Sequence, residues 1–248
     1  MQRTFMRRAT AVALALWATG WHTSACAYRP FNGTDAAVAG PGEMELEFGP
    51  VGYLREGSER TLIAPAWTLN YGFRPGWEVV IEGQGTHGLS AGNTGSSLVD
   101  MAVLLKGVLR EGSLQDKAGP SVATEWGLLL PGLNAEPGTG LSVAAIMSQR
   151  WPWMTLHLNV KRTLTRQQHG ALFVGAIVEG SSQASVRPVA EVFQEHEQQR
   201  PATFSGLIGV IWQVRDGLAV DVGLRRGWGA EPLLTEVRLG LTFGLSPR

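Results

Sequence analysis

The chain has 248 residues, with 21 basic and 21 acidic side chains, five histidines and a single cysteine. That balance excludes the strongly basic surface of a nucleic-acid binder, and one cysteine excludes a disulfide framework. Hydrophobic residues make up 44% and charged residues 17%, and 32 residues are glycine, nearly twice the usual ~7% share.

The chain opens with Arg3, Arg7 and Arg8, then a short apolar run, Ala9 to Gly20, then Ala25-Cys26-Ala27. A basic start, a short apolar stretch and small residues at the cleavage positions make residues 1–27 a secretory signal peptide. The run is too short for a spanning helix, which needs about 20 apolar residues. A lipidated Cys26 is the rival reading, but Thr23 stands where that signal usually carries leucine. Cleavage before Tyr28 removes three bases and no acids, leaving 18 bases against 21 acids. Residues 28–41 are expected to form an N-terminal periplasmic segment, and 42–248 one further domain.

From Glu43 on, the pattern has a period of two, so one set of side chains faces each side of a strand. Glu43, Glu45 and Glu47 oppose Met44, Leu46 and Phe48. A weaker segment at 61–71 follows. In 77–82, Glu78, Val80 and Glu82 oppose Trp77, Val79 and Ile81. In 99–110, Asp100, Lys106 and Arg110 oppose Val99, Met101, Val103, Leu105 and Leu109. Segments 121–130, carrying Glu125, and 140–149 are less regular. Next, 154–161 sets His157, Asn159 and Lys161 against Leu156, Leu158 and Val160. Segments 170–179 and 185–193 follow, the latter with Arg187 and Glu191. Residues 202–214 carry Phe204, Ile208, Val210 and Trp212 on one face. Asp221 and Arg225 mark the polar face of 218–225, and Glu236 and Arg238 that of 236–243.

These segments predict an all-β fold: a transmembrane, antiparallel, up-and-down β-barrel of about twelve strands, its apolar faces toward lipid and its charged faces lining the lumen. Tight turns at 73–76, 149–153 and 215–217 would lie on the periplasmic side. Longer stretches at 86–97, 131–139, 162–169, 194–201 and 226–234 would lie outside, with 86–97 and 194–201 forming a mouth. The connection 111–119 is long where a short one is expected. Tyr71, Trp77, Trp151, Trp153 and Trp212 fall near the proposed periplasmic turns, as an interfacial girdle would. First and last strands must pair, since an open edge is not tolerated in lipid. Arg238 is then expected near Glu43, Glu45 or Glu47.

Arg29-Pro30-Phe31, Asp35 and Gly42-Glu43-Met44-Glu45-Leu46-Glu47 resemble the opening of the family named "MetA-pathway of phenol degradation". Trp126 to Gly132, Leu156 to Val160 and Pro188 to Phe193 extend the resemblance. Asp35 stands alone where that family often has paired acids. The resemblance implies an outer-membrane transporter barrel for small, aromatic or apolar solutes, and carries no agreed binding residues.

An enzyme of the twelve-stranded phospholipase type is the alternative. His157 and Asn159 stand side by side, with Ser142 and Ser148 the nearest candidate nucleophiles, but no nucleophile motif surrounds them. His157 also alternates with apolar residues, which points it into the lumen and away from lipid. His87, His157, His169 and His196 lack metal-ligand spacing, the glycines of 83–95 precede no helix, and no cofactor is expected. Glu195-His196-Glu197 reads as a solvated loop tip. The inward charges either pair into a plug or line a narrow path. The expected setting is the outer membrane of a Gram-negative bacterium, with lipid, a solute and, during insertion, the barrel-assembly machinery as partners.

Overall fold

A computed structural model describes residues 29–92, 94–229 and 233–246. The expected signal peptide, Cys26 and the last two residues lie outside this set. Twelve strands follow in order: β1 (Met44–Glu56), β2 (Glu59–Arg74), β3 (Trp77–Gly88), β4 (Ser96–Arg110), β5 (Ser121–Leu129), β6 (Gly140–Arg150), β7 (Met154–Leu164), β8 (Gly170–Gly180), β9 (Val186–Glu197), β10 (Thr203–Arg215), β11 (Leu218–Trp228) and β12 (Leu234–Leu245). Each pairs antiparallel with its sequence neighbours. β1 pairs with β12 from Met44↔Leu245 to Glu56↔Leu234, so the sheet closes on itself. Closure leaves no edge with unpaired amides and carbonyls. All twelve expected segments are strands.

The alternation sorts as the period of two requires. Val103 and Leu158 point outward, 36% and 37% exposed, whereas Ala102, Leu104, His157 and Asn159 are buried. Tyr71, Trp151, Trp153 and Trp212 stand exposed near the end of the barrel where β1 begins and β12 ends, and Phe204 pairs with Trp228 near the far end.

Three features depart from the sequence reading. First, the far-end strands run longer than expected, because the polar alternation continues past the apolar band. β3 reaches Gly88, β7 Leu164 and β9 Glu197, so the connections expected at 86–97, 162–169, 194–201 and 226–234 shrink to 89–95, 165–169, 198–202 and 229–233, while 131–139 stays nearly as expected at 130–139. Residues 194–197, expected in a mouth loop, are strand. Second, the long connection 111–120 at the terminal end holds a 3-10 turn, Ser113–Gln115, that folds beneath the barrel. Leu114 packs there on Ala36, Ala123, Ala144 and Ile146. Third, residues 29–41 lie inside the barrel. Phe31 packs on Val189, Ile211 and Ala219 of the inner wall, so the apolar core is shared between wall and segment.

Two checks test this architecture. Cysteines at the paired outward positions Leu46 and Phe243 should cross-link, their Cα separation falling within the ~4.4–6.8 Å a disulfide needs. Leu46 combined with Leu239 should not, and the reverse result would break the register. Val103→Arg or Leu158→Arg should lower folding stability by about 2–4 kcal/mol in lipid, as a charge on the lipid face does. Lys161→Met should be much milder, as read by urea titration of heat-modifiable gel migration.

Candidate functional site: the lumen

The lumen has two storeys. The lower one, toward the start of β1 and the end of β12, is filled by residues 29–41. This stretch is rich in glycine, alanine, proline and asparagine. It runs through the barrel with no strand beside it, so its amides need other acceptors. Wall side chains supply them. Arg29 N–H donates to Glu47 Oε2 at 3.1 Å, and Asn32 and Gly33 N–H donate to the two Glu191 oxygens at 2.8 and 2.7 Å. Thr34 N–H reaches Asn159 Oδ1 at 3.0 Å, while Asn159 Nδ2 donates to Thr34 O at 2.8 Å. Ala36 N–H donates to Ser148 Oγ at 2.9 Å and Ala39 N–H to Glu78 Oε2 at 2.7 Å.

Lys106 lies at the centre, 1% exposed. Its Nζ is 3.4 Å from Glu78, 3.6 Å from Asp35 and 3.3 Å from Thr34 Oγ1. A buried ammonium is tolerable only with such partners, and here they join segment to wall. Arg238 donates to Pro30 O and Asn32 Oδ1, both at 2.8 Å, and to Glu236 at 2.6 Å. Glycines in the wall allow this close approach. A Cβ at Gly72 would overlap the backbone of Ala39 and Gly40, and one at Gly223 would press on Pro30.

The upper storey is a cavity of about 790 Å³ whose floor is Arg29, Phe31 and Asn32. Ligand pockets typically measure about 300–1,000 Å³. Its walls bring Glu82, Lys161, Phe173 and Arg225 together, and it reaches the far rim at Glu136 and Arg200. Lys161 lies over the Phe173 ring at 5.5 Å. Arg225 bridges Glu195 at 2.9 Å and Glu236 at 3.7 Å, and stacks over Phe193.

The expected lumen residues therefore divide. Glu47, Glu78, Lys106, Asn159, Glu191 and Arg238 hold the segment, and Asp221 lies 3.9 Å from Arg29. Glu82, Lys161, Arg225 and Glu236 line the cavity. Arg187 meets Glu179 at 3.6 Å, and Glu125 and Glu45 follow the inward alternation of their strands.

Arg110 is an exception. A register shift between Val108 and Arg110 takes it out of the lumen, and it is exposed next to Gly119. Asp100 lines the cavity as expected, at φ 54°, accepting from Gln84 Nε2 at 2.7 Å and 4.0 Å from Arg166. Arg238 is not beside Glu43, Glu45 or Glu47; a bulge between Phe48 and Val51 sets it opposite Gly52. Glu195, His196 and Glu197 belong to the cavity wall instead of a solvated tip. The sequence reading places residues 28–41 in the periplasm and not in the lumen, and does not single out Glu179, the sole acid of its strand.

His157 connects Ser148 and Glu179, with Ser148 Oγ 2.8 Å from Nδ1 and Nε2 3.0 Å from Glu179. A Ser-His-acid chain can activate a nucleophile. Here the serine is 0% exposed and its oxygen already accepts from Ala36 N–H. It also lies outside the cavity lining. The chain seats the segment.

The chain matches no protein-family model and no curated protein sequence. Its fold is similar to that of the COG4313 outer membrane channel from Pseudomonas putida F1, with TM-score 0.61 and 10% identity over 87% of this chain and 100% of that one. It is also similar to the KdgM porin, solved in complex with disordered oligogalacturonate, with TM-score 0.57 and 8% identity over 80% of this chain and 98% of that one. The protein is a closed twelve-stranded barrel of porin-like architecture.

A fluorophosphonate probe, which labels activated serines, should leave Ser148 unmodified in the folded barrel. Mass-spectrometric detection of the adduct on Ser148 would instead restore the hydrolase reading.

Proposed function

We propose that the protein is an outer-membrane channel for small solutes, entered through the 790 Å³ cavity and closed at the periplasmic end by residues 29–41. The observation that carries this is the floor of the cavity. Arg29, Phe31 and Asn32 separate a solute-sized chamber from the rest of a closed barrel. The segment is held by discrete polar contacts to wall side chains and not by a strand ladder. The short turns 75–76, 151–153 and 216–217 support a periplasmic assignment for the end where β1 begins, with the far end opening outward, as in exported barrels.

The outward apolar band supports lodging in the outer membrane, and the leader-like residues 1–27 support export to a Gram-negative outer membrane with help from the barrel-assembly machinery. Phe31 and Phe173 set apolar faces among paired charges, which suits small aromatic or apolar solutes bearing a polar group. That is the class implied by the resemblance to the phenol-degradation family.

Flux through purified protein in liposomes tests this reading. Replacing Glu78 and Glu191 by alanine leaves three segment amides, those of Asn32, Gly33 and Ala39, without their acceptors. Each loss costs about 1–3 kcal/mol, so small-ion conductance should rise by about tenfold or more over the wild type. Equal conductance in the two proteins, or none above empty bilayers in either, would refute the gated-channel reading.

A further inference from the structure

The outer wall carries one polar row at the far end that the solute path does not use. Arg226 of β11 pairs with Thr235 of β12, Thr235 with Arg55 of β1, and Arg55 with Arg60 of β2. Their neighbours Arg225, Glu236 and Leu54 line the cavity, as does Ile63, three residues from Arg60. Alternation therefore turns Arg226, Thr235, Arg55 and Arg60 outward, and the three arginines are exposed. Adjacent strands lie about 4.8 Å apart, so three guanidinium groups are spread over roughly 15 Å of one face.

Among the described residues none of the three lies within ion-pair distance of a carboxylate. Arg55 Nε donates to Gly57 O at 2.9 Å. Glu56 and Glu59 face each other at the hairpin tip on the lumen parity.

The next outward row toward the membrane is Leu224, Val237, Tyr53 and Leu62, followed by Val222, Leu239 and Val51. Three of these four contiguous strands thus set guanidinium groups that meet no carboxylate among the described residues directly above a continuous apolar wall. Elsewhere on the far rim the outward side chains include Leu128, Leu141, Leu164 and Phe204, with Arg162 isolated among them. Strands of such barrels tilt by about 35–45°, so the row climbs from the membrane boundary into the headgroup layer and meets anionic groups at more than one height.

We infer that the β11–β12–β1–β2 face binds a phosphorylated glycolipid of the outer leaflet. Its phosphates are held by Arg226, Arg55 and Arg60, and its acyl chains lie on the Leu224–Val237–Tyr53–Leu62 surface. Guanidinium forks match phosphate oxygens in pairs and keep their charge at any working pH. The apolar rows select a lipid over free phosphate, because only a lipid fills both parts of the site.

The inference rests on the membrane placement proposed above. Recovery of the barrel without detergent would remove that placement, whereas the following outcomes address the site alone. Purified protein in detergent is mixed with bisphosphorylated lipid A, dephosphorylated lipid A or inorganic phosphate, and lipid retained after detergent washing is measured by mass spectrometry. Wild type should retain the bisphosphorylated lipid. The Arg55→Gln/Arg60→Gln/Arg226→Gln variant should retain about tenfold less, Arg162→Gln should match wild type, and excess inorganic phosphate should not displace the lipid. Equal retention by a triple variant that still migrates as a folded barrel overturns the site, as does displacement by inorganic phosphate or equal retention of the dephosphorylated lipid. Should the triple variant fail to fold, the Arg55→Gln and Arg60→Gln single variants replace it, each expected to retain several-fold less lipid.

Discussion

A polypeptide segment placed inside a barrel has no ladder of its own, and its amides must be satisfied there or not be there at all. An unpaired buried amide costs about as much as a lost hydrogen bond, and residues 29–41 bring several of them into the lumen. Carboxylates from β1, β3 and β9, a hydroxyl from β6 and a carboxamide from β7 accept those hydrogen bonds one by one. The same acceptors would be poorly placed without the segment, because Glu47, Glu78 and Glu191 stand on the inner wall with few facing bases. The polar wall and the backbone that fills it are thus two halves of a single solution to burial.

That arrangement explains why the lumen is asymmetric. Where backbone amides meet wall acids, side chains are short of bases and packing is tight, with Lys106 and Arg238 as the cations tying segment to wall. Above Phe31 the segment is gone, and the walls pair with each other instead, Arg225 with Glu195 and Glu236, and His169 with Glu197 at 3.4 Å. Side chains that pair across a wall surface leave the middle empty. The cavity is the part of the barrel that the segment does not reach.

Much of this was legible in the sequence because a strand in a barrel has one dominant constraint, alternation, and that constraint is local. Met154 to Lys161 and Val237 to Phe243 announce their faces within a few residues. What was not legible depends on where alternation slips or on contacts distant in sequence. The shift near Arg110 and the bulge after Phe48 each turn a side chain away from the face that counting assigns. Residues 29–41 have neither period, and their place in the lumen follows from partners up to 210 residues away. One hint was present. Acids outnumber bases among the inward positions, and the excess acids find backbone donors here, not cations.

The junction of β1 with β12 is the last closure the chain can make, since its two strands are the most distant in sequence. The interior segment leads directly into β1, and on either side of that junction it is gripped, by Glu47 on β1 and by Arg238 on β12. It therefore acts as an internal clasp across the barrel's seam. A sheet that zips shut around this clasp encloses it in the same event, and a seam pulled apart from outside must also tear the clasp loose. Mechanical resistance of the wall at its seam is in this way coupled to occupancy of the interior.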